Sequence, residues 1–250
     1  MEHEENFSGT NLREQIEKVL NTKELVYPVK LVDFSLRNFN FKRLGTKLHY
    51  WNAIQIHDLL DDSNVFPEKL DDNIWYQYIS AYLILPKMKE LIEVNRLAWN
   101  NAVERYNDKT IEMAVRTSFS LLDASSLSNK KVLERTPLNL TDSSTLNRIN
   151  TVLSKKELSY PLDLLEIHLR NMKIKIHYPY IISMHKFLKR TGILTDEYDY
   201  NIWYRCIAAY IIAVYVDVGK LMELNKNGWT ESVRKKNEEL VFDADIIALL

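Results

Sequence analysis

The chain of 250 residues carries one long pattern twice, and that repetition limits its fold more than any other feature. DDNIWYQYISAY at residues 71–82 returns as DYNIWYRCIAAY at 199–210. KELVYP at 23–28 returns as KELSYP at 156–161, and Leu36-Arg37-Asn38 as Leu169-Arg170-Asn171. His49-Tyr50 pairs with His177-Tyr178, and His57 with His185. Leu91, Glu93, Asn95 and Trp99 recur as Leu221, Glu223, Asn225 and Trp229. The offset between copies changes only between these blocks, as length changes in loops would make it do. Two homologous modules are therefore expected, at 10–106 and 144–240. Residues 107–143 read as a Ser/Thr/Asn-rich linker with a possible short helix over 111–122, and 241–250 as an apolar C-terminal tail.

Within each module the apolar spacing is helical. Leu12, Ile16, Val19 and Leu20 form one stripe, and Leu31, Phe34 and Leu36 another, behind Pro28 at a helix start. Tyr50, Ile54, His57 and Leu60 keep the same period. Trp75, Ile79 and Tyr82 fall on one helical face, as do Trp203, Ile207 and Tyr210. Only five glycines and six prolines are present, too few for the turns of an all-β chain. The run 206–216 mixes aromatic and β-branched residues and is ambiguous between helix and strand, but the duplicated helical spacing favours helix. The expected class is all-α, with two small helical bundles. Pro86 should kink or end the Trp75 helix, whereas module two has no proline there and its last helices should run straighter.

Little in the residues points to catalysis. Glycine-rich phosphate loops, a GxSxG elbow and HExxH are absent. His49 and His57 are eight residues apart, as are His177 and His185. Eight helical residues rise about 12 Å, so neither pair can hold one ion alone. His49 and His177 are expected instead in the repeat core with Trp75, Ile79, Tyr82, Trp203, Ile207 and Tyr210. Cys206, the one cysteine, stands where the first copy has Tyr78 and reads as a buried, inert thiol. Asp71, Asp72 and Asp199 precede the Trp-bearing helices and suit caps or the helix dipole, and Asn73 and Asn201 fit caps as well. No enzyme activity, cofactor, metal or small-molecule substrate is expected.

The remaining candidates are surfaces. A formal charge of −1 offers nucleic acid no general attraction, so contact would need a local patch. Arg37, Lys42, Arg43 and Lys47 form one such cluster, and Lys186, Lys189 and Arg190, with 234–236 beyond, a second. Acidic neighbours make a solvated mixed-charge surface the plainer reading. Trp99, Trp229, Phe242, Ile246 and Leu249 are candidates for binding a partner: large aromatics suit interfaces, and the apolar residues of the C-terminal tail either dock back or anchor elsewhere. The acidic, polar start resembles no signal or transit peptide, and no apolar run spans a bilayer, so a soluble intracellular chain without membrane contact is expected.

The modules resemble the MRG-binding protein family, non-catalytic subunits of the histone H4 acetyltransferase complex. Leu31 and Phe34, Gly45 four residues before His49-Tyr50, Ile74-Trp75 with Tyr82, and Leu91 with Glu93 carry the resemblance. The second copy offers His177-Tyr178, Ile202-Trp203 with Tyr210, and Leu221 with Glu223. The family's Lys-Pro before the glycine is missing from both copies, and the glycine from the second. The resemblance implies a nuclear scaffold subunit engaged in transcription regulation, working through protein subunits of a larger complex. Direct nucleic-acid binding by the basic clusters is the alternative.

Overall fold

A computed structural model describes residues 9–39, 47–96, 101–124, 143–226 and 230–242. Among them every regular element is helical and no strand occurs. The chain divides into two compact units: Met1–Leu48 with Asn52–Leu133, and His49–Trp51 with Glu134–Leu250.

Unit 1 contains α1 (Gly9–Asn21), α2 (Val26–Asn38), most of α3 (Tyr50–Asp62), α4 (Asp72–Ile84), α5 (Met88–Arg96) and α6 (Asn101–Ala124). Helix α4 packs against α1, α2 and α6. The stripe on α1 behaves as its period predicts: Leu12, Ile16 and Val19 are buried. Pro28 lies in the first turn of α2, where a missing N–H leaves no intrahelical bond unmade. On α3, Ile54, His57 and Leu60 are buried. Phe34 departs from expectation. It shares α2 with buried Leu31 and Leu36 but is 58% exposed, because the residues packed inward on this helix are Pro28, Val29, Leu31, Val32, Ser35 and Leu36.

Part of the expected linker is helix. Residues 107–117 belong to α6, where Asn107, Thr110, Ile111, Ala114 and Val115 are buried. Their apolar positions recur at helical spacing and close over α2, α4 and α5, so this stretch is part of unit 1 rather than a tether.

Unit 2 contains α7 (Ser143–Ser154), α8 (Ser159–Arg170), α9 (Tyr178–Arg190), α10 (Tyr200–Tyr215), α11 (Val218–Asn225) and α12 (Glu231–Val241). Helix α10 packs against α7, α8 and α9. The ambiguous stretch from Cys206 resolves as helix, and Cys206 to Ala213 are all buried. A helix apolar on every side must be enclosed on every side, and three helical neighbours supply that. Unit 2 also incorporates His49–Trp51, from well before the expected start of its module.

Both Trp-bearing helices end in a break, of two kinds. After Ile84 the chain tightens into a 3-10 turn, Leu85–Lys87, that contains Pro86, and α5 follows at once. After Tyr215, Val216 is extended (φ −113, ψ 146), and Asp217 caps α11 by accepting from the Lys220 N–H at 3.1 Å. The straighter path expected without proline does not occur, since an extended residue followed by an Asp cap stops a helix as firmly as a proline.

Candidate functional site

Each Trp-bearing helix opens on an aspartate cap. Asp71 and Asp199 each accept from the backbone N–H three residues on, at Ile74 and Ile202, at 2.8 Å. The asparagines expected to cap do something else. Asn73 accepts a bond from the Arg37 guanidinium at 3.1 Å, and Asn201 one from Arg170 at 3.2 Å. Two residues inside the cap position, their side chains point across to the neighbouring helix.

The tryptophans lie at the centre of each cluster. Trp75 donates its indole N–H to His57 Nδ1 at 3.1 Å, and Trp203 donates to His185 Nδ1 at 2.9 Å. Both rings are buried, with the next tyrosine edge-on at centroid distances of 5.0 Å (Tyr76) and 4.9 Å (Tyr204). A buried indole needs an acceptor, and a neutral imidazole supplies it. His185 is held neutral: burial, then Lys189 and Lys186, push its pKa down to about 3. Ile79, Ile207 and Tyr210 are buried with the tryptophans, and Tyr82 is half-buried. The core histidines are thus His57 and His185. His49 is half-buried and His177 is exposed at the start of α9, which corrects their expected place in the core.

Around this core lies a matched surface. Arg37 sits 4.4 Å over the Tyr76 ring and pairs with Asp33 one turn back on α2. Arg170 sits 4.8 Å over Tyr204 and pairs with Glu166 one turn back on α8 at 2.6 Å. The bond to Asp33 is the largest cause raising the Arg37 pKa above the usual arginine range. A guanidinium so occupied is not a free phosphate hook. Three residues before each arginine stands an exposed apolar side chain, Phe34 (58%) and Ile167 (51%). The following Asn38 and Asn171 each donate back to the carbonyl of that residue at 2.8 Å. Ile202, beside Asn201, is 46% exposed as well.

A second matched pair escaped the sequence reading. In unit 2, Asn225 and Asn237 exchange amide hydrogen bonds of 3.1 and 2.8 Å in the interior. In unit 1, Asn107 donates to Asn95 at 2.9 Å, while Asn95 donates to the Glu24 carbonyl at 2.7 Å. The signal was the repeat itself: continued beyond Trp99 and Trp229, it aligns Asn107 with Asn237.

The other expected residues scatter. Lys42, Arg43, Trp99, Trp229, Ile246 and Leu249 lie outside the described residues, and Lys47 is exposed. Phe242 is half-buried, its ring centroid 4.1 Å from that of His168. Lys189 leans over Tyr198 at 5.6 Å, and Arg190 lies 5.8 Å from the Phe187 ring. Cys206 is buried, and burial lifts its thiol to about 11. Among the described residues no group of His, Cys, Asp and Glu could hold a metal ion, and no helix is long and apolar enough to cross a membrane. No protein-family model, no curated protein and no solved structure matches the chain.

Proposed function

We propose that this chain is a non-catalytic adaptor: two homologous helical units, related by duplication, that bind other protein subunits. The observation that carries this reading is the matched exterior. A repeat kept only for packing would hold Trp, Ile and Tyr and let its surface drift. Here Arg37/Arg170, Asn38/Asn171 and Asn73/Asn201 recur with the same bonds, beside the exposed Phe34 and Ile167. Large exposed apolar side chains framed by fixed polar groups suit a protein interface. The resemblance to MRG-binding proteins supports a nuclear, chromatin-associated assembly as its setting.

The test pairs affinity capture with a surface variant. The tagged chain should co-purify with defined subunits, and Phe34→Asp with Ile167→Asp should release them. The variant's melting should move little, about 0.5 kcal/mol at most, because both side chains face solvent. Recovery of a lone monomer, or partners that ignore the double variant, would overturn the reading.

A further inference from the structure

Residues 171–177 of unit 2 connect α8 to α9 with alternating burial. Ile174 and Ile176 are buried, while Lys173, Lys175 and His177 are exposed. The chain bends at Ile174, and all three side chains stay exposed around that bend.

That backbone is pinned. Tyr50, buried and part of unit 2, donates its hydroxyl to the Ile174 carbonyl at 3.0 Å and accepts from the Ile176 N–H at 2.8 Å. Lys173 N–H donates to the His168 carbonyl at 2.9 Å, closing the other end. No ion pair engages Lys173 or Lys175 among the described residues. Glu238, which acts electrostatically on nearby His168, is itself held by Arg234 at 3.2 Å and Tyr160 at 3.3 Å. Beyond these residues stands Tyr180, 43% exposed, its ring 6.1 Å from His177 and edge-on to it. The N-terminus of α9 faces the same stretch and adds partial positive charge.

We propose that exposed Lys173 and Lys175, with Tyr180, bind the phosphate backbone of single-stranded nucleic acid. The lysines meet phosphates, and Tyr180 offers a face on which a base stacks. Two exposed lysines on a pinned backbone, beside an exposed aromatic, fit a polyanion that carries bases better than an isolated anion. The exposed aromatic favours a nucleic acid over an acidic peptide. Tyr50 is a positioning residue, acting through the backbone it holds.

The experiment is fluorescence anisotropy of a labelled oligothymidylate with the full chain at two salt concentrations. Affinity should fall with salt, and Lys173→Glu with Lys175→Glu should lower it at least about tenfold. The same pair should reduce the slope of log affinity against log salt by about 1.4, two phosphates at about 0.7 each. Tyr180→Ala should weaken binding about fivefold or more without changing that slope. Tyr50→Phe should weaken it less, again at constant slope, with faster amide exchange at Ile176. Phe34→Asp with Ile167→Asp should leave the affinity unchanged, which separates this surface from the adaptor face. If the charge reversals fail to fold, Lys173→Gln with Lys175→Gln gives the same reading. The proposal is overturned if the oligonucleotide does not bind at low salt, if the lysine variants bind as well as the parent, or if polyglutamate binds as tightly.

Discussion

The helix starts at Asp72 and Tyr200 are nearly superimposable in chemistry, whereas the helix ends at Ile84 and Tyr215 are not. Both starts have an aspartate cap, an indole bonded to a histidine, and an arginine that stacks on the following tyrosine and bonds the asparagine. At the ends, Pro86 in a 3-10 turn does in unit 1 what extended Val216 and capping Asp217 do in unit 2. The start is a network in which each group satisfies another, so a change at one position orphans its partner. The end only has to stop a helix and turn the chain, and several residue types do that equally well. Surroundings of the shared network also differ: His57 stacks on Phe66 at 5.2 Å, while His185 meets Tyr198 edge-on at 5.8 Å.

The comparison breaks hardest at the tryptophans. Trp75→Ala and Trp203→Ala should each destabilise the chain by about 3–5 kcal/mol, since each empties a closed core site. Denaturant titration checks this, and costs that differ by more than about 2 kcal/mol would mean that the two cores are not equivalent. Trp→Phe at either position keeps most of the volume but leaves a buried imidazole nitrogen without its donor, for about 1–3 kcal/mol.

Acid tests the imidazole in unit 2. Unfolded His185 takes a proton near 6.5, while the folded ring, buried beside Lys189 and Lys186, does so only near about 3. Its contribution to stability is therefore fully present above pH 6.5 and is lost as pH falls through that window. The loss is at most about 1.4 kcal/mol per pH unit. Stability curves of the parent and of His185→Asn should diverge in slope between these limits. Parallel slopes would show that the ring is not held neutral.

Smaller effects probe the two ends. Asp71→Ala and Asp199→Ala should each cost about 1 kcal/mol, because each leaves a first-turn N–H without its side-chain acceptor. Asp217→Ala should cost about the same, while Pro86→Ala should shift stability by no more than about 1 kcal/mol. Thermal melts of this set rank the two kinds of break directly.

Much of the candidate site was legible because it lies in short segments. Leu36-Arg37-Asn38, Asn73-Ile74-Trp75 and their copies stand out as identical strings, and the helical period places Trp75 and Ile79 inward. What the strings left open was the use of each polar group. Arg37 is a basic residue in a basic stretch until the ring of Tyr76 and the carboxylate of Asp33 are seen beside it. His49 and His177 recur as faithfully as His57 and His185, and repetition alone does not reveal which pair is inside.

The sequence by itself determined the helical class, the twofold pattern, the inward tryptophans and the aspartates that start their helices. All of these are set by neighbours within a few turns, where periodicity and capping act. Tertiary structure decided that His57 and His185 are the buried imidazoles, that Phe34 faces solvent, and that residues 107–117 close unit 1. It also decided that Tyr50, 124 positions before its hydrogen-bond acceptor at Ile174, belongs to unit 2. Such contacts leave no local trace, because the period of a helix shows which face is apolar but not which partner covers it.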